Sequence, residues 1–174
     1  VFTTGQVLTA AQMNAVGLWL VKSQAVGTGV SSVTVTGAFS ADYDNYRIIY
    51  TGGTASTQTG LNLTLGSANS QYFFNLFYSL YSGGGLAILN YNGTSNFTYA
   101  GAMDSNQNPF VNVDVYQPYA AASTRVYSQW MQTDSSGFGA GVLKANDSYT
   151  AFTLTTQTGT ISGGTICVYG YNNG

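Results

Sequence analysis

Across residues 30–171 the sequence is cut by turn-forming residues every ~8–12 positions, and between the cuts it is β-branched, aromatic or alternating. A chain punctuated in this way predicts an all-β fold, a single β-sandwich of jelly-roll type. Residues 41–53 state the pattern most fully. Asp42, Asp44 and Asn45 favour a turn, a β-branched and aromatic run follows, and Gly52-Gly53 closes it. A period of two puts Tyr46, Ile48 and Tyr50 on one face and Arg47 and Ile49 on the other. Residues 163–171 repeat the style at the other end of the chain. These two strands are expected deep in the sandwich.

Further strands are expected over residues 30–36, 71–78, 149–155 and at Leu61, Leu63 and Leu65, which alternate with Asn62, Thr64 and Gly66. Residues 54–60 read as a polar loop. Residues 86–89 and 96–102 predict a hairpin turning on Asn92-Gly93, a favoured two-residue turn. Val111, Val113 and Val115 alternate with Asn112 and Asp114, and Pro118 ends that run. Residues 124–133 place Val126, Ser128, Trp130 and Gln132 on one side and Tyr127, Gln129 and Met131 on the other. Gly137, Gly139 and Gly141 suggest a bulge. No internal repeat is evident, and the length fits one domain.

The N-terminal stretch reads differently. Thr9 and Gln12 form a capping box, and Leu8 and Met13 stand at the positions of a hydrophobic staple. They predict a short α-helix over residues 10–22. Val16, Leu18, Trp19, Leu20 and Val21 would place apolar groups nearly all round it. Such a helix is either gripped by its own domain and another chain or closes one end of its own sandwich. Residues 1–29 are thus expected to form an arm and helix, and residues 30–174 the sandwich.

Charged residues make up only 6% of the chain, against about a quarter in ordinary soluble proteins. Ser, Thr, Asn, Gln and Gly supply the polar surface instead. A neutral surface suits a protein held in an assembly, or a secreted lectin-like domain. Net charge is −2, with four cations, Lys22, Arg47, Arg125 and Lys144. Without clustered Lys and Arg, no nucleic-acid partner is expected. The longest N-terminal apolar stretch, residues 15–21, falls short of the ~20 residues of a membrane span. No basic region precedes it, so neither membrane insertion nor a signal peptide is expected. The single Cys167 excludes an internal disulfide and is expected as a small buried hydrophobe.

Catalytic sets are sparse. There is no His to activate a Ser or Cys nucleophile. Asp104, Asp114, Asp134 and Asp147 are the candidates for paired-carboxylate hydrolysis of glycosides, but all four read as loop or strand-surface residues. One Cys and no His disfavour zinc. Asp42, Asp44 and Asn45 could ligate calcium, although a turn leading into the next strand accounts for them. Gly137-x-Gly139-x-Gly141 precedes no helix and so holds no phosphate. Asn62, Asn92, Asn96 and Asn146 each fit N-x-Ser/Thr, as chance provides in so Ser/Thr-rich a chain. No enzyme activity, cofactor or metal is expected. Fourteen Tyr residues remain. Tyr46, Tyr50 and Tyr169 read as core with hydroxyls at the rim. Tyr81, Tyr91, Tyr99 and Tyr119 read as contact residues for a glycan or protein.

Two segments resemble known proteins. Phe2-Thr3-Thr4-Gly5-Gln6-Val7-Leu8-Thr9-Ala10-Ala11-Gln12-Met13-Asn14 resembles the opening of small virion proteins of tailed bacteriophages, where G-x-V-L-T-A-x-x-x-N begins tail-fibre and minor structural chains. Tyr43-Asp44-Asn45-Tyr46-Arg47-Ile48, with the closing Gly-Gly-Thr-Ile-x-Val-Tyr-Gly-Tyr, is similar to β-sandwich domains of the same kind of protein. The resemblance covers both ends and leaves the middle unmatched. It implies a virion structural protein on the tail or capsid exterior, commonly a homotrimer, contacting other virion proteins. Attachment and oligomerisation would run through Val7, Leu8, Met13, Val16, Leu18, Trp19 and Leu20. A tail-fibre or minor tail protein would present an aromatic patch between Phe73 and Tyr119 to a host surface glycan or protein. A capsid decoration protein would instead clamp the major capsid protein. A carbohydrate-binding or carbohydrate-active module is the third reading.

Overall fold

The computed structural model describes Val7, residues 17–105 and residues 109–171. Among them the chain is all β, with twelve strands in two antiparallel sheets that pack face to face. The strands are β1 (Leu18–Ala25), β2 (Ser32–Val35), β3 (Asn45–Ala55), β4 (Thr59–Leu65), β5 (Tyr72–Leu80), β6 (Ala87–Thr94), β7 (Phe97–Met103), β8 (Phe110–Tyr116), β9 (Thr124–Met131), β10 (Ser135–Leu143), β11 (Phe152–Thr156) and β12 (Ile161–Tyr171). The larger sheet runs β1-β12-β3-β8-β9-β10-β5-β6 and the smaller β2-β11-β4-β7.

The pairings are nested. β1 pairs with β12, β2 with β11, β3 with β8 and β4 with β7. This is one long antiparallel ribbon rolled so that successive pairs fall in alternate sheets, the jelly-roll topology. Two hairpins are added to that ribbon. β5–β6 lies between β4 and β7 in sequence, and β9–β10 lies between β8 and β11. Both join the larger sheet, doubling it to eight strands against four.

Alternation explains the core. Tyr46, Ile48 and Tyr50 of β3, all three leucines of β4, and Val111, Val113 and Val115 of β8 are at most 1% exposed. Each large apolar side chain so buried stabilises the fold by about 1.5–3 kcal/mol. The buried tyrosines turn their hydroxyls to backbone at the rim. Tyr50 donates to Gly163 O at 2.9 Å, and Tyr46 donates to Ser40 O while accepting from Ser40 N. Tyr72 accepts from Leu65 N at 2.9 Å. Tyr169, expected in the core, sits half-buried on the outer face beside Arg47, and Cys167 is likewise half-buried there.

Three local expectations are corrected. Residues 18–22 are not helical but begin edge strand β1, with Val21 against the core and Leu18 and Leu20 turned outward. Lys22 stands in register with core Val168 after a bulge at the edge, a place where an inward charge discourages further strand pairing. The remainder of the expected helix, including Leu8, Met13 and Val16, lies outside the described residues. Asn92-Gly93 does not turn a hairpin. β6 pairs with β5 in the larger sheet and β7 with β4 in the smaller, so the chain crosses between sheets after Thr94. Gly93, at φ 67°, sits opposite a register shift in β5, a bulge rather than a turn. Residues 54–60 are a polar loop only at 56–58, since β3 and β4 extend into both ends.

The β10 glycines form no bulge either. Their register with β5 and β9 is continuous. They face inward, and a Cβ at Gly137 or Gly139 would overlap the rings of Trp130 and Phe74. The glycines make a trough in which those two aromatics lie.

Candidate functional site

Register carries outward side chains into rows across the larger sheet. One row runs Ile49, Asn112, Gln129, Phe138, Phe77 and Ile88 over β3, β8, β9, β10, β5 and β6. Phe77 and Phe138 stack, with centroids 5.2 Å apart and rings inclined at 14°. Phe138 is 43% exposed, Ile88 54%, and Met131 beside them 51%, with Phe110 its direct cross-strand neighbour. Contiguous exposed apolar side chains of this kind mark a surface that meets something else.

The next row holds the charge. Arg47 grips Asp114 in a fork, Nε to Oδ1 at 2.7 Å and Nη2 to Oδ2 at 2.8 Å. Tyr171 donates its hydroxyl to Asp114 Oδ1 at 2.5 Å, and the guanidinium lies 5.5 Å from the Tyr171 ring centroid. The hydrogen bond to Asp114 holds the Arg47 pKa above its usual value against the opposing effect of burial. Burial, then the hydrogen bond and charge of Asp114, push the Tyr171 phenol well up. Asp104 follows β7 in a loop and Asp114 stands on β8, but both are buried, at 7% and 6% exposed, rather than on the surface. Asp104 Oδ2 accepts from Thr133 N at 2.8 Å and fixes the β9–β10 turn. Among the described residues no three His, Cys, Asp or Glu converge on one point. Asp42 Oδ2 accepts from the Ser40 hydroxyl at 2.9 Å in the turn before β3.

A cleft of about 310 Å³ opens between the sheets where β5 and β6 extend beside β7. Tyr78 and Leu89 come from the added hairpin, Tyr99 from β7, and Trp130 from β9, with Gln58, Gln132 and Ser135 around them. Tyr99 owes its direction to a bulge. Leu61 pairs with Gly101 and Leu63 with Phe97, so β7 carries extra residues opposite Asn62. Tyr99 stands there at φ 61°, and its N–H donates to Asn62 Oδ1 at 3.2 Å. Left-handed backbone is unfavourable for a ring-bearing residue, and bulges commonly re-aim a side chain toward a site. Gly60 makes room, because a Cβ there would overlap the Tyr99 ring. Behind the lining, Trp130 Nε1 and Gln132 Oε1 are closed to solvent and have no hydrogen-bond partner among the described residues. Burial pushes the Tyr91 phenol up, with lesser contributions from Tyr99 and Tyr78.

The structure therefore divides the four contact tyrosines. Tyr99 lines the cleft, while Tyr91, on β6, stands outside its lining. Tyr81, 60% exposed after β5, and Tyr119, 39% exposed after β8, lie at opposite ends of the larger sheet. Among the arm residues, Leu18 and Leu20 are exposed on β1, Val7 is exposed, and Trp19 is half-buried with its indole N–H unpartnered. Tyr78, Trp130 and Gln132 were not singled out as site residues from sequence. The alternation of β9 did place Trp130 and Gln132 on a common face, but nothing local marks the bulge that brings Tyr99 to them. Comparisons with protein families, with curated proteins and with solved structures find no match to this chain.

Proposed function

We propose that the chain is a non-enzymatic structural subunit of a virion exterior, of the tail-fibre or minor tail kind in a tailed bacteriophage, held against sister copies in a homotrimer. The observation that carries this reading is the outer face of the eight-stranded sheet, where Phe138, Phe77, Ile88, Met131 and Phe110 form a contiguous apolar band. A polypeptide with 6% charged residues has little electrostatic means to keep such a band dispersed. Burying it against other subunits removes the liability. Leu18 and Leu20, exposed on edge strand β1, add a second apolar contact contiguous with the N-terminal arm. The resemblance of residues 2–14 to phage virion proteins supplies the setting. Its partners are then itself and other virion proteins.

Light scattering on the purified full-length chain tests the oligomer, with a trimer expected. A monomer at every concentration examined would overturn it. Counting copies per virion tests the location. A number matching the tail supports the tail reading, and a number matching the shell moves the protein to capsid decoration.

A further inference from the structure

We propose that the cleft lined by Tyr78, Tyr99 and Trp130, with Gln58, Gln132 and Ser135 at its polar side, binds an uncharged saccharide. The inference does not rest on the oligomer or on the virion setting, since every residue named belongs to one chain.

Shape and chemistry agree on the ligand class. The cleft volume, about 310 Å³, is at the lower end of small-molecule sites, about 300–1,000 Å³, and suits one or two sugar rings. Among the described residues no charged side chain lines it, so an anionic or cationic ligand would enter without a counter-charge from them. What lines it is three aromatic rings and a set of amides and hydroxyls. Aromatic faces take the apolar C–H face of a pyranose, and amides take its hydroxyls, both of them groups with an apolar body and a polar tip.

The backbone at Tyr99 indicates a site rather than a packing gap. Tyr99 is held in left-handed backbone at a three-residue bulge, and strain of this kind collects where a side chain must be presented. Trp130 closes the floor of the cleft: it is 3% exposed, and its Nε1, like Gln132 Oε1, is closed to solvent and without a partner among the described residues.

The test uses the full chain and a panel of neutral probes: methyl glucoside, methyl galactoside, methyl mannoside, N-acetylglucosamine and their β-linked disaccharides. Saturation-transfer NMR detects contact, and quenching or enhancement of Trp fluorescence follows titration. At least one probe is expected to bind with a dissociation constant on the order of a millimolar. Tyr99→Asn removes the ring while placing a residue that tolerates the left-handed backbone, so that variant folds. It and Gln132→Ala should each weaken binding about tenfold or more. Tyr119→Ala, beyond β8 at the other end of the larger sheet, should leave binding unchanged. Absence of transfer to every probe overturns the proposal, as does binding that survives Tyr99→Asn in a sample whose amide spectrum is native. Light scattering on the same samples reads the oligomer separately, so loss of one result leaves the other standing.

Discussion

Arg47 and Asp114 face each other across β3 and β8 on the outer side of the larger sheet, joined by two parallel hydrogen bonds at 2.7 and 2.8 Å. Arg47 is 31% exposed at its side chain and Asp114 only 9%. The carboxylate is thus the buried partner, and Tyr171 completes its shell from β12. The trio links three adjacent strands at the end of the sheet where residue 171 leaves β12.

Removing the cation should cost more than removing the pair. Arg47→Ala leaves a buried carboxylate with Tyr171 as a remaining partner. Between the small value of exposed pairs and the large value of buried ones, about 2–3 kcal/mol of stability should be lost. Replacing both, Arg47→Met with Asp114→Leu, should restore most of it. Urea denaturation of the two variants decides the matter. A loss below about 0.5 kcal/mol in Arg47→Ala would class the pair as an exposed one.

Alkali should unfold the protein in a defined window. Burial pushes Tyr50 and Tyr72 up to about 12 from an ordinary 10. A phenol that ionises more readily when unfolded stabilises the fold fully below pH 10 and loses that contribution as pH rises toward 12. The melting temperature should therefore fall between those values. Tyr72→Phe should lessen the fall, since it removes one titrating group. Through neutral pH the curve should be flat, because the chain contains no His.

Gly139 should tolerate no side chain. A Cβ there would overlap the Phe74 ring and crowd Asn75 O. Gly139→Ala should destabilise by about 1–3 kcal/mol through overpacking. Ala140→Val on the exposed side of the same strand should change stability by less than about 0.5 kcal/mol. Thermal melts of the two variants make the comparison.

Charge on the outer band should prevent the proposed association between copies without breaking the fold. Phe138→Lys and Ile88→Lys replace exposed residues, so their far-ultraviolet circular dichroism should match the parent. Their light-scattering mass should fall to that of one chain. Retention of the parent mass in the double variant would place the subunit contact elsewhere.

The N-terminal boundary should prove sharp. Removing residues 1–16 leaves the twelve strands found among the described residues, and the sandwich should still fold. Removing residues 1–24 strips β1 from β12 and bares an edge, which invites aggregation. Comparing the solubility of the two truncations checks this.

Alternation was legible wherever one face is core and the other is wet. Tyr46, Ile48 and Tyr50, the leucines of β4 and the valines of β8 all stand as their period of two predicts. It failed at residues 18–21, where Leu, Trp, Leu and Val are all apolar and leave no polar face to read. Period 2 and period 3.6 are then indistinguishable, and the cap signal at Thr9 tipped the reading to helix. It failed again at Asn92-Gly93, because one dipeptide serves a turn or a bulge and only the sheet into which the chain next goes decides between them. Asp114 looked like surface because its partner, Arg47, is 67 residues away. The cleft is hidden for the same reason. Its aromatics come from β5, β7 and β9 and meet only after the hairpins join the larger sheet.

The pairing of β1 with β12 has a bearing on synthesis. A growing polypeptide cannot bury Trp19 or Val21 against their lateral neighbour until β12 has left the ribosome. Until then the early strands wait with their apolar sides open, while the β5–β6 and β9–β10 hairpins, whose contacts are local, can close at once. Completion of the jelly roll is thereby tied to emergence of β12, and a ribosome stalled before it would hold an open, incomplete sandwich.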